Sequence, residues 1–173
     1  MTDCFAHQLR LDQIRDGERV DLSADEGELL AIGERLGLDA LDRLDAHAVL
    51  SRTGDTVRAQ GRLAASLTQS CVITGDPVAA HIDEPFDLTF MPEPEVRTPD
   101  EELELGRNEL DVVFHDGSVI DLGGSIADTL ALSLDPYPRS AGADAVLKKA
   151  GVLSEEQASP FAVLAKLRKS DET

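Results

Sequence analysis

From Val57 to Phe90 the chain alternates between apolar and polar residues almost without a break. Val57, Ala59, Gly61, Leu63, Ala65, Leu67 and Cys71 share one parity, and Arg58, Gln60, Arg62, Ser66, Thr68 and Ser70 take the other. After Ile73-Thr74-Gly75-Asp76-Pro77 the alternation resumes with Val78, Ala80, Ile82, Phe86, Leu88 and Phe90, with Asp83, Asp87 and Thr89 between them. A period of two predicts two long strands, each with one face in a core and one in water. Gly75 supplies backbone freedom, and Pro77 a fixed φ, where the chain must reverse. Leu41 to Arg52 alternates in the same way and meets the next strand across Thr53-Gly54-Asp55-Thr56. The stretch from Leu44 to Phe90 therefore reads as a three-stranded antiparallel meander. Pro85 cannot donate to a ladder, so its place is an edge or a bulge.

The flanks are shorter. Phe5 to Leu11 and Arg19 to Leu22 are strand candidates, separated by the polar Arg15-Asp16-Gly17-Glu18. Ser23 or Asp25 can cap a helix carrying Leu29, Leu30, Ile32, Leu36 and Leu38, with Ser23-Ala24-Asp25-Glu26 at capping-box spacing and Gly37 as its stop. Beyond Phe90, prolines at 92, 94 and 99 and a crowd of acids predict a mobile acidic loop over 92–107. Leu110 to Phe114 reads as a strand, His115-Asp116-Gly117-Ser118 as a turn, and Val119 to Leu122 as a continuation or a second strand. Asp121 or Ser125 can then cap a helix from about Gly124 to Leu134, with Leu122, Ile126, Leu130 and Leu134 stacked one turn apart. Asp135-Pro136-Tyr137-Pro138 ends it. Ala143 to Gly151 forms a short helix, and Ser154 to Gln157 opens another that includes Phe161 to Lys169. The expected fold is α+β: a mainly antiparallel, curled or barrel-like sheet, one helix in the N-terminal half and two or three C-terminal helices. We expect a single domain over 1–173, its helical C-terminal part spanning 122–170.

Composition adds constraints. With 3% aromatic residues and no Trp, the core must be built from Leu, Val, Ile and Ala. There are 34 acids against 16 bases, a formal net charge of -18. Non-specific nucleic-acid binding draws on Lys and Arg displacing counterions, and there is no surplus for that. Long-range attraction favours a basic partner instead. Solubility alone would account for the acids equally well. Two cysteines, Cys4 and Cys71, cannot build a disulfide framework, which points to a reducing compartment. The N-terminal residues lack a basic patch followed by an apolar run, and no apolar run approaches bilayer length. A cytoplasmic protein without a membrane partner is expected.

Little in the chain suggests catalysis. Cys4 and His7 have the gap of a metal knuckle, and Cys71 with His81 could complete a set, but only one half of a zinc pattern is present. Cys71 lies in phase with the apolar face, so a small buried hydrophobe accounts for it. His47 and His115 have no neighbouring nucleophile and read as solvent-facing. Gly123-Gly124-Ser125 matches neither the P-loop nor the dinucleotide fingerprint. Tyr137, fixed between two prolines, either presents its ring to a partner or packs across the preceding helix end. No cofactor, metal or small-molecule substrate is expected.

Cys71-Val-Ile-Thr-Gly-Asp-Pro-Val78 and its alternating strand, the acidic loop, Ile120-Asp121-Leu122, the ending Leu134-Asp-Pro-Tyr-Pro138 and Ala150-Gly-Val-Leu-Ser-Glu-Glu156 together resemble the YceD family, in its alphaproteobacterial branch. The resemblance implies a role in accumulation, processing or stability of large-subunit ribosomal RNA. Many members are encoded beside a small basic ribosomal protein. It assigns no catalytic residue. Cys71, Gly75, Pro77, Asp121 and Tyr137 stand at its motifs and are the candidate partner-contact residues. Many members carry a second Cys where this chain has Thr74, and some carry further cysteines after the segment matching Leu134 to Pro138. If those bind metal, this chain should not. The expected function is a non-enzymatic ribosome-assembly factor that binds a basic ribosomal protein, or ribosomal RNA within a ribonucleoprotein. Arg58 and Arg62 on one strand face, and the C-terminal lysines and arginines, leave room for a local basic patch. The alternatives are an interaction module outside ribosome assembly, and a hydrolase with a pocket lined by His47, His81 or His115 and acids.

Overall fold

A computed structural model describes Phe5, residues 7–93 and residues 111–151. The elements run β1 (Gln8–Arg10), a 3-10 turn (Leu11–Gln13), β2 (Glu18–Ser23), α1 (Glu26–Leu36), β3 (Ala40–Thr53), β4 (Thr56–Ser70), β5 (Pro77–Pro92), β6 (Val112–His115), β7 (Val119–Asp121), α2 (Leu122–Ser133) and α3 (Ala143–Lys149). The architecture is α+β, as the alternating pattern predicts. The chain divides into two compact units, one of residues 1–69 and 79–136, the other of residues 70–78 and 137–173.

The first unit is organised by a five-stranded sheet of order β2-β3-β4-β5-β6. The meander is there, with β3 and β4 joined by the two-residue turn Gly54-Asp55 between the paired Thr53 and Thr56. Register explains how a core so poor in aromatics fills its space. Leu44 lies opposite Ala65, Ala46 opposite Leu63, and Leu50 opposite Ala59. Each large side chain faces a small one, so the layers interdigitate. All six are buried, together with Val57, Leu67, Phe86, Leu88 and Phe90. Burial of one such large side chain stabilises the fold by about 1.5–3 kcal/mol. Gly61 opposes Ala48, and a Cβ there would lie 1.9 Å from the His47 carbonyl oxygen and 2.9 Å from the Phe86 ring. No side chain fits, so glycine is what allows these strands their close approach.

One expectation about the sheet is corrected. It does not close: β2 and β6 are separate edges, so no barrel forms. Closure needs a last strand paired with the first, and β6, only four residues long, instead joins β5 in parallel over Thr89–Pro92. Of the two readings open for Val119 to Leu122, the structure takes the second strand: Val119–Asp121 pairs antiparallel with β1 as a separate two-stranded sheet.

The helices follow their caps. Asp25, not Ser23, caps α1: its carboxylate accepts from the Glu28 N–H, and the Glu28 carboxylate accepts from the Asp25 N–H, both at 2.9 Å. The reciprocal box therefore sits two residues later than the Ser23 spacing predicts, because Ser23 ends β2 and donates to Asp45. Gly37 closes the helix in the left-handed region. Asp121 caps α2 by accepting from the Gly124 N–H at 2.9 Å, and Leu122, Ile126 and Leu130 form the buried stripe. The helix expected to include Phe161 to Lys169, its Ser154 cap, Cys4 and most of the expected acidic loop lie outside the described residues.

Candidate functional site

The turn between β4 and β5 is tied more tightly than a hairpin loop requires. The Cys71 N–H donates to the Asp76 carbonyl at 2.8 Å, and the Gly75 N–H to the Cys71 carbonyl at 2.9 Å. Gly75 reaches this with φ 74°, a region in which a Cβ is strained. Pro77 opens β5 directly afterwards. The 137–140 segment belongs to the same unit and is bonded to this turn. The Val72 N–H donates to the Pro138 carbonyl at 2.9 Å, and the Ser140 N–H to the Cys71 sulfur at 3.2 Å. Thr74 Oγ1 donates to the Asp76 carboxylate at 2.7 Å and lies 3.1 Å from Ser140 Oγ, which also reaches that carboxylate at 3.3 Å.

This surrounding sets the state of the thiol. Cys71 is 3% exposed. Burial pushes its pKa up, but the Ser140 N–H, the Thr74 and Ser140 hydroxyls and the Ile73 N–H outweigh it and bring the value down from 9.0 to about 6. Donors aimed at sulfur favour the thiolate. The reading of Cys71 as a small buried hydrophobe thus captures its burial and misses its polarity. As a metal knuckle the cluster fits poorly. One thiol, two hydroxyls and one carboxylate are not the Cys and His set that a structural zinc requires. Among the described residues no three His, Cys, Asp or Glu side chains come together as a metal site.

Of the five candidate residues, the structure joins Cys71, Gly75 and Pro77 in one turn and brings the Tyr137 segment to it through Pro138 and Ser140. Tyr137 itself is 70% exposed, so its ring points outward. Asp121 belongs to the other unit, where its side chain serves as the α2 cap. Ser140 escapes sequence reasoning. No periodicity marks it, and its bonding to the turn is a contact 69 residues apart in sequence.

His115 is corrected. It is buried at 6% exposure rather than solvent-facing. Nε2 donates to the Asp55 carbonyl at 2.9 Å while Nδ1 accepts from the Gly117 N–H at 3.0 Å, so the ring fastens the start of one turn to another. His47 is exposed, as expected, and so is His81. His47 lines a groove of about 410 Å³ with Asp21, Ser23, Arg43, Asp45, Arg62 and Asp83. Asp45 is held ionised first by Ser23 and then by Arg43, the opposite of the raised carboxyl that a general acid needs, and Asp83 pairs with Arg62 at 2.8 Å.

The arginines on the sheet face are not free for phosphate. Arg58 grips the Asp87 carboxylate with two nitrogens, and Arg62 holds Asp83. Arg10, Arg35 and Arg43 likewise pair with Asp12, Asp128 and Asp45, while Arg52 bonds the carbonyls of Leu11 and Gly54. Only Arg15 and Arg19 of the eight described bases in the first unit remain outside these contacts, against 21 described acids. The described part of the second unit has Asp76 and Asp144 against Arg139, Lys148 and Lys149.

These features define an acidic α+β protein built on an open, mostly antiparallel sheet, with a cysteine-bearing turn secured by a distant segment. The chain matches the family model described as "Large ribosomal RNA subunit accumulation protein YceD" over residues 59–168, and it belongs to that family. No curated protein and no solved structure matches it. No described helix is long and apolar enough to cross a membrane.

Proposed function

We propose that this chain supports accumulation of large-subunit ribosomal RNA in the cytoplasm as a non-enzymatic assembly factor, by binding a basic ribosomal protein. One observation carries the reading. The first unit presents 21 described acids against eight bases, and five of those bases are already paired with aspartates. A surface of that sign repels phosphate and attracts a cationic client, and its long-range field speeds their encounter. The family description supports the pathway, and the charge supports the kind of partner.

Depletion of the protein is expected to lower the large subunit in ribosome profiles, and capture from cells to recover a basic ribosomal protein in a salt-sensitive complex. Recovery of RNA without any ribosomal protein would overturn the partner assignment. Unchanged subunit profiles on depletion would overturn the pathway.

A further inference from the structure

The sheet has one long edge that the described strands leave largely uncovered. β5 is 16 residues long, and β6 pairs with it only over Thr89–Pro92. Among the described residues no strand lies along that side of the earlier part of β5. On the core face Phe86, Leu88 and Phe90 are buried, while Ala80 and Ile82, on the same parity, pack against that core but stay half-buried. Asp83, Glu84 and Pro85 are all exposed. Pro85 has no N–H, so a ladder built along this edge stops there.

We propose that the β5 edge from Ala79 to Glu84 takes an extended lysine- or arginine-rich segment of a partner protein as an added strand. This rests on the basic-client reading and gives that client a place. Unpaired main-chain groups supply the affinity, as in other strand additions, and the half-buried Ala80 and Ile82 give alternate side chains of the guest an apolar seat. Charge selects the guest. Asp83 is held by Arg62, which leaves Glu84 as the carboxylate of this segment outside the described ion pairs, and the unit around it carries 21 described acids against eight bases. That excess disfavours a second copy of the same edge and favours a cationic strand.

Hydrogen exchange on the full chain tests this, with an alternating lysine–valine peptide as probe. Outward amides of residues 79–84 are expected to exchange fast in the free protein and to slow roughly tenfold or more when the peptide is bound. The same peptide N-methylated along its backbone keeps its charge and loses its ladder donors, and is expected to bind roughly tenfold more weakly for two lost hydrogen bonds. Glu84→Lys, a surface change, is expected to weaken the peptide without altering the unfolding midpoint. Amides already protected in the free chain, protection appearing elsewhere, or equal binding of the methylated peptide would each overturn the proposal. Capture separates it from the reading it rests on. If wild type and Glu84→Lys retain a basic ribosomal protein equally, the reading stands and the edge falls. If none is captured while the peptide still protects 79–84, the edge stands and the reading falls.

Discussion

The two compact units hold their polar groups in opposite ways. In the first, charge is spread over a sheet face as exposed ion pairs, and the buried side is apolar except for single groups such as His115 and Ser125. In the second, polar groups converge on one covered sulfur, with a near balance of described acids and bases. Exposed pairs add little stability because water already solvates both partners. Donors closing on a covered thiol change its protonation state. The first unit therefore has the character of a charged platform, and the second that of a fastening whose bonding depends on pH.

The largest effect should come from the platform's core. Phe90→Ala removes a fully buried ring and is expected to cost about 3–5 kcal/mol, read as a lowered urea midpoint. Following Cys71 reactivity through the same transition sharpens the comparison. A thiol that stays shielded while the sheet unfolds would show that the units open separately.

Next comes Gly75→Ala, which forces a Cβ into a φ of 74° and is expected to cost about 1–2 kcal/mol. It should also speed modification of Cys71 by a thiol reagent, in a Cys4→Ser background that leaves one thiol. Equal reactivity would mean that the turn does not shield the sulfur.

Ser140→Ala removes a hydroxyl from the cluster and is expected to cost about 1 kcal/mol and to raise the Cys71 pKa above about 6, followed by ultraviolet thiolate absorbance. The linked pH dependence has a definite sign. The folded thiol titrates near 6 and the unfolded one near 9.0, so the thiolate adds nothing below about pH 6. Its contribution grows from there to pH 9 and is lost as pH falls back through 6. Wild type should therefore gain stability between pH 6 and 9 relative to Cys71→Ala, and parallel curves would refute the donor account.

The smallest effect belongs to the platform's surface. Arg58→Ala breaks the bond to Asp87, in an exposed pair, and is expected to leave the urea midpoint nearly unchanged. The Arg58 guanidinium, with lesser help from Gln60, holds the Asp87 carboxyl below its usual range. What the pair adds is therefore present at neutral pH and fades as pH falls through that lowered value. A cost of several kcal/mol here would erase the contrast between the units.

Much of the fold was legible in the chain. Alternation from Leu44 to Phe90 determined three long strands and which residues face the core, because a pleated backbone leaves no other way to segregate them. The four-residue spacing of Leu122, Ile126 and Leu130 determined the buried stripe of α2, and Gly37 its predecessor's end. The site was legible in part. Cys71, Gly75 and Pro77 announced a special turn, but two of the donors that alter the thiol come from Ser140, which no local pattern connects to residue 71.

Local physics, then, set strand faces, caps and turns, since each depends on neighbours a few residues away. The tertiary structure alone decided that β6 joins β5 in parallel and stops the sheet from closing, that Val119–Asp121 leaves for β1, and that His115 is buried between two turns. Each of those outcomes is a pairing between segments distant in sequence. The hydrophobic pattern records which face of a segment is buried, and carries no record of what covers it.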